Sequence, residues 1–211
     1  MIEGFALSYI SLLLIMIANC APTLLLASAS SRRLDLLRQI NIEPNEVYAP
    51  DIDETPLKSE KPKALAMRLS QGKAKAAKDK FPDFYILAAD TVVACGQNIL
   101  DKAENAEQAE KYITKLSGRR HRVYGGIALI TPEGRLFQRM CETQVQFKPL
   151  TNKEIQSYID LGEWEGKAGG YAIQGFAGSF VKRLSGSYSN VVGLSLYDTM
   201  KILQSGGFPH P

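Results

Sequence analysis

Thr23–Ser28 (TLLLAS) is an unbroken apolar run between Pro22 and a cluster of serines. It predicts a buried strand, because it is too brief for a helix. Ser30 stands at the cap position of a helix over Ser31–Gln39, whose Leu34 and Leu37, with Ile40 just beyond, mark one apolar side. Glu46–Ala49 predicts a second strand, leading into the acidic turn Asp51-Ile52-Asp53-Glu54 that Pro56 closes. From Ser59 to Lys80 the spacing is helical, with Leu65, Leu69 and Ala76 along one face and Pro62 tolerated in the first turn. Phe84–Ala89 (FYILAA) is the clearest buried strand and ends at Asp90-Thr91.

Asn105–Ser117 predicts a helix in which Asn105 and Gln108 resemble a capping box and Gly118 suits the far end. Val123–Ile130 and Arg135–Phe147 predict two strands around the turn Pro132-Glu133-Gly134. Thr151 and Glu154 form another capping box, opening a helix that ends near Leu161-Gly162. A glycine-rich stretch follows, Gly166–Gly178, and then a small-residue turn, Ser185-Gly186-Ser187. Ser195–Gln204 closes the pattern as a helix, leaving 205–211 as a flexible tail. Helices and strands alternate in the first half and a hairpin sits in the middle. The expected class is therefore α/β, with a mixed twisted sheet and flanking helices. No internal repeat or low-complexity linker divides it, so 23–204 is expected to be one folding unit.

Composition narrows the function classes. Of 211 residues, 45% are apolar, and 25 Lys+Arg against 22 Asp+Glu leave a formal charge of +3, which excludes intrinsic disorder. The same small excess argues against nucleic-acid binding by bulk electrostatics, so an anionic ligand must be held by a local cluster. Cys20, Cys95 and Cys141 are odd in number and widely spaced, without a CxxC pair, and are expected to be reduced thiols of a cytoplasmic protein. The apolar run 6–18 is shorter than the roughly 20 residues a bilayer requires. It lacks the positive start of a secretory signal, with Glu3 the only charge before it. Ile17-Ala18-Asn19-Cys20 loosely resembles a lipoprotein processing site, but Asn19 is bulky and the strand at Thr23 leaves almost no tether. The reading adopted is translation from Met16, with 1–22 as an N-terminal extension and no membrane association.

Four clusters fall at predicted element ends, where ligands meet α/β folds. Ser28-Ala29-Ser30-Ser31-Arg32-Arg33 offers hydroxyls, helix-start N–H groups and two guanidinium groups to a phosphate; it equally fits a capped helix with solvated arginines. Asp51-Ile52-Asp53-Glu54 can hold Mg²⁺ or form an acidic surface turn. Asp90, directly after a buried strand and followed by Thr91, fits a general base, a metal ligand or a helix cap. Lys167-Ala168-Gly169-Gly170-Tyr171-Ala172-Ile173-Gln174-Gly175 lets backbone approach a ligand and carries an amide that can read a base edge; it also fits a flexible loop. Lys73, Lys102 and Lys167 can supply charge to a triphosphate or remain solvated. No GxxxxGK[ST] loop occurs, and His121 and His210 are the only histidines, so histidine catalysis is not expected. Carboxylates, cations and hydroxyls remain, the groups of metal-assisted phosphoanhydride hydrolysis.

In order and spacing, LASASSRR (26–33), DIDETP (51–56), GKAKA (72–76), AADTVV (88–93), the LSG…H.V run (116–123), KAGGYAIQG (167–175) and GSYSNVVGL (186–194) resemble the Maf family of nucleoside triphosphate pyrophosphatases. The resemblance implies two lobes around a deep cleft, similar to inosine-triphosphate pyrophosphatases. It implies the reaction NTP + H2O → NMP + diphosphate with a divalent cation, Mg²⁺ or Mn²⁺. By motif match it implies that Asp90 accepts the proton of the attacking water, and that Glu54, Asp90 and Asp53 hold the metal. Arg32, Arg33, Lys73 and Lys102 would neutralise phosphate charge, with Ser30 and Lys167 also at the substrate. Arg32, Thr91 and Gln174 resemble the branch acting on dTTP and UTP; the sister branch acts on 7-methyl-GTP. A cell-division regulator with incidental catalysis is the alternative from another class, and a homodimer is what the family suggests. Ser31, Ala103 and Ser195 stand where the family favours Pro, and Gly125 where Thr is frequent. Such proline losses cost a few tenths to about 1 kcal/mol each where the conformation is unchanged, and none removes a charged group.

Overall fold

A computed structural model describes residues 22–209. The apolar run 6–18 and the expected start at Met16 lie outside the described residues. Within them no helix is long and apolar enough to cross a membrane.

Strand β1 (Leu24–Ala27) is buried along its whole length, as its unbroken apolar run requires. It pairs in parallel with β2 (Glu46–Tyr48) on one side and β3 (Tyr85–Cys95) on the other. Leu24 and Leu26 pack into a large core on one face of the sheet. Leu25 and Ala27 pack into a smaller core on the other. Strand β3 runs well past the expected end at Asp90, because Thr91, Val92 and Val93 continue the ladder against β5 (Arg120–Ile130). The short β4 (Asn98–Leu100) folds back on the end of β3. β5 and β6 (Leu136–Phe147) form the expected hairpin, and β7 (Val181–Ser185), which periodicity did not mark, closes the edge. The order β2-β1-β3-β5-β6-β7, with β4 on β3, makes a mixed seven-stranded sheet.

Helix α1 (Ser31–Gln39) follows β1, and α2 (Pro62–Lys78) takes Pro62 in its first turn as expected. The buried stripe of α2 holds Leu65 and Leu69 together with Ala66, Ser70, Lys73, Ala74 and Ala77; Ala76, expected on that stripe, is only half-buried. Gly126 explains how closely α2 lies on the sheet. A Cβ there would fall 2.2 Å from the Ala66 carbonyl oxygen and 2.9 Å from Ser70 Oγ. Ala66, Ser70 and Lys73 are spaced i, i+4, i+7, so the face that meets Gly126 also carries Lys73 over the sheet.

Helix α3 (Ala106–Leu116) is capped by Asn105, which accepts from the Gln108 N–H. Gln108 Oε1 accepts from the Glu104 N–H rather than from Asn105, so the expected box closes one residue early. The Thr151–Glu154 box on α4 (Asn152–Asp160) is complete. Part of the glycine-rich stretch, Phe176–Phe180, is a 3-10 turn, and α5 (Tyr188–Val192) follows the Ser185–Ser187 turn. Helix α6 (Leu196–Gly206), capped by Ser195, runs past the expected end at Gln204. Phe208 then packs edge-on against Tyr85 at 5.2 Å between centroids, so the tail expected from Ser205 starts later.

Candidate active site

The carboxyl end of β1 and the middle of β3 form the floor of a cleft of about 360 Å³. One wall is built by the turn into α1, Ala49–Pro50 and Glu54. The opposite wall is Lys102 with the 166–174 stretch. Strand β3 belongs to both the parallel and the antiparallel part, so both walls rise from one continuous sheet. An isolated bridge between Lys102 and Ala168, and the Gly169 N–H donating to the Leu100 carbonyl at 2.8 Å, hold the second wall to β4. Gly169 adopts φ +73°, and a Cβ there would fall 2.7 Å from Val93 Cγ1, so this close approach requires glycine.

At the floor, Asp90 pairs in register with Gly126 and is 8% exposed. Its Oδ1 accepts from Lys73 Nζ at 2.6 Å, and the same ammonium lies 2.7 Å from Glu54 Oε1. Lys102 Nζ stands 3.9 Å from Glu54 Oε2. Partial burial would raise the Glu54 pKa; hydrogen bonding and charge from Lys73, with Lys102 and Arg33, outweigh it and hold the carboxyl below its ordinary value. Glu54 is therefore ionised at neutral pH. Asp53, expected as a further metal ligand, does not line the cleft. It is exposed, and its Oδ1 accepts from the Thr55 N–H at 2.9 Å. Adjacent residues of a non-helical segment project to different sides, so only one of the two carboxylates reaches the floor.

The two arginines divide between a buried anchor and the cleft. Arg33, 9% exposed, donates from Nε to the Gly193 carbonyl at 2.9 Å, from one terminal nitrogen to Ser28 Oγ at 2.8 Å, and from the other to Thr91 Oγ1 at 3.1 Å. This ties α1 to β1, β3 and the end of α5, and it modifies the expected role of Arg33 as a phosphate ligand. Burial pulls its pKa down, but a guanidinium stays charged. Arg32 is only half-buried; its Nε donates to the Val192 carbonyl at 3.2 Å. Thr91 Oγ1 is engaged by Arg33, while Gln174 is exposed at the rim. Lys167 lines the second wall, its pKa pulled down by burial and then by the charge of Arg32. Ser30 lines the cleft but makes no capping hydrogen bond, contrary to expectation; its N–H donates to Ser28 Oγ at 3.2 Å. The cleft thus gathers Ser30, Arg32, Arg33, Glu54, Lys73, Asp90, Thr91, Lys102, Lys167 and Gln174.

Ser28, expected among the hydroxyls offered to a phosphate, instead accepts from Arg33, and sequence reasoning assigned no role to Tyr171, which lines the cleft and meets His121 Nε2 through its hydroxyl at 2.8 Å. Both lie inside quoted motifs, which was the available signal. Among the described residues no group of three or more His, Cys, Asp or Glu could hold a metal ion. Glu54 and Asp90 offer two hard oxygen donors around one cation-sized position, now spanned by the Lys73 ammonium. That fits Mg²⁺ or Mn²⁺ brought in on phosphate oxygens and does not fit an all-protein cage.

A family model described as "Maf-like protein" matches residues 23–206. A dTTP/UTP pyrophosphatase from Chelativorans sp. (strain BNC1) is 53% identical over 195 residues, covering 89% of this chain and 93% of that protein. The dTTP/UTP pyrophosphatases of Agrobacterium fabrum and Paramagnetospirillum magneticum are 53% and 55% identical, covering 90% and 88% of this chain and 95% and 97% of theirs. Among solved structures, a dITP/XTP pyrophosphatase from Mycobacterium abscessus aligns over 59% of this chain and 72% of its own at 17% identity, with a TM-score of 0.40.

Proposed function

This chain belongs to the Maf-like family, and from that premise we propose that its cleft hydrolyses dTTP and UTP, with modified pyrimidine triphosphates, to the monophosphate and diphosphate. The observation that carries the reading is the Asp90–Lys73–Glu54 chain at the cleft floor, with Arg32, Lys102 and Lys167 around it. The identity of more than 50% to dTTP/UTP pyrophosphatases over most of the chain supports the choice of substrate.

Catalysis then divides among the residues. Oδ1 of Asp90 is held by Lys73, while Oδ2 makes no hydrogen bond among the described residues and is free to accept the proton of an attacking water. As the water oxygen bonds to the α-phosphorus, the bond to the bridging oxygen breaks and diphosphate leaves with its electron pair. Lys73, Lys102 and Arg32 stabilise the charge that collects on it. Glu54 and Asp90 would hold Mg²⁺ or Mn²⁺, which when bound neutralises phosphate oxygens and polarises the phosphorus. Gln174 and Arg32 at the rim are the groups available to distinguish a pyrimidine. The proposal includes a cytoplasmic location, supported by the widely spaced cysteines without a CxxC pair, and a homodimer, supported by the family resemblance alone.

The test is diphosphate release from a panel of dTTP, UTP, dCTP, GTP and 7-methyl-GTP with Mg²⁺ or Mn²⁺ present and after chelation. The expected result is turnover of dTTP and UTP at least tenfold above the others, falling to background with chelator. Release from none of them, or a clear preference for 7-methyl-GTP, would overturn the reading.

A further inference from the structure

Glu54 sits on a stretch, from Ala49 to Lys61, with no helix or strand of its own, yet its carboxylate stands within 2.7 Å of Lys73. Something outside the cleft must hold it there, since a long unsupported segment would spend its time elsewhere. On one side of Glu54, Ile52 packs on the cluster Leu65, Ala66, Leu69 and Val92. On the other side is Arg68, five residues before Lys73 on α2. Its Nε donates to Glu60 Oε1 at 2.8 Å, and one terminal nitrogen donates to Glu60 Oε2 and to the Thr55 carbonyl, both at 2.9 Å. The Glu60 side chain is only 8% exposed, and its Oε2 also accepts from the Leu57 N–H at 3.0 Å. Thr55 is therefore gripped at both ends, by Asp53 at its N–H and by Arg68 at its carbonyl.

We propose that Arg68 is a positioning residue for Glu54: with Glu60 it clamps the peptide just beyond Glu54 to α2, the helix that also carries Lys73. The clamp and the lysine then move as one body, so the Glu54–Lys73–Asp90 chain is preorganised before a nucleotide arrives. Arginine suits the task, because one planar fork makes three directed hydrogen bonds that a lysine cannot reproduce. The inference rests on the proposed hydrolysis for its kinetic consequence, and on the geometry alone for its structural one. It also gives Asp53 a use as the turn-forming partner of Thr55.

The experiment is a double-mutant cycle between Arg68→Ala and Glu54→Gln, with kcat and KM for dTTP measured separately and thermal melting of each variant recorded. The expected result is a kcat about tenfold lower in Arg68→Ala, with KM within twofold of wild type. In the Glu54→Gln background the same change should alter kcat by less than twofold, because its target is gone. Glu60→Gln, which keeps one acceptor for the guanidinium, should fall between wild type and Arg68→Ala, and Arg68→Lys should restore only part of the loss. Equal tenfold losses in both backgrounds, or no loss in wild type, would overturn the proposal. Amide hydrogen exchange provides a second readout that needs no turnover. Residues 53–58 should exchange at least tenfold faster in Arg68→Ala while β1 and β3 are unchanged, and unaltered exchange there overturns the clamp even if dTTP proves not to be a substrate.

Discussion

Asp90→Asn is expected to lower the rate of diphosphate release from dTTP about a thousandfold, the middle of the range for removing a positioned general base. Asparagine keeps the shape and an oxygen for Lys73 Nζ, now 2.6 Å away, and Lys73 retains Glu54 at 2.7 Å. What disappears is a group able to take a proton and half of the two-carboxylate set. Neither neighbouring acid can substitute: Glu54 is half exposed and tied to Lys73 and Lys102, and Asp53 points out of the cleft. Burial sharpens the effect, because at 8% exposure bulk water does not supply an alternative base of comparable position. The check is steady-state kinetics beside thermal melting. A variant that melts like wild type and keeps activity within tenfold would remove Asp90 from the proton-accepting role.

Stability is expected to decline by about 3 kcal/mol from pH 6.5 to pH 4 through His121 alone. The ring is 1% exposed, edge-on to both Phe147 and Tyr171, and its Nδ1 has no partner among the described residues. Burial pulls its pKa from 6.5 to about 4. The native state therefore keeps a neutral imidazole in a range where the unfolded chain binds a proton. The stabilisation is complete above pH 6.5 and is lost as the pH falls towards 4. Acidic groups add their own slopes lower down, since Glu154, hydrogen-bonded to Lys148, is held at about 2. Urea denaturation at pH 7, 5.5 and 4 on wild type and His121→Phe separates the contributions. The variant loses the bond to the Tyr171 hydroxyl and starts less stable, but its decline between pH 6.5 and 4 should be shallower by that same 3 kcal/mol. Parallel declines in the two proteins would mean that His121 is not the buried neutral group.

How much of this was legible in the sequence depended on the range of the interactions involved. β1, the Thr151–Glu154 box and the Pro62 helix start are local, and residues within a few positions of each other determine them. β3 reads as ending at Asp90 because its second half is held as strand by pairing with β5, about thirty residues away in sequence, and with the short β4 that folds back on its end. Motif position brought Asp90, Glu54 and Lys73 to notice, but nothing local separated Glu54 from Asp53. That choice is made by Ile52 packing under the segment and by Arg68 gripping Thr55. Arg33 illustrates the same limit. Its acceptor at Gly193 lies 160 residues on, so a residue that looked like a phosphate ligand is engaged as a buried tie. Lys73 has a local signature as well, being the one cation on the buried stripe of α2.

The central claim is that water directed by Asp90 attacks the α-phosphorus of a pyrimidine triphosphate. Hydrolysis of dTTP in ¹⁸O-labelled water, with mass analysis of both products, tests it most directly. The prediction is one labelled oxygen in dTMP and none in the diphosphate released beside it. Label in the diphosphate, or formation of dTDP and inorganic phosphate, would place the attack at another phosphorus and contradict the account.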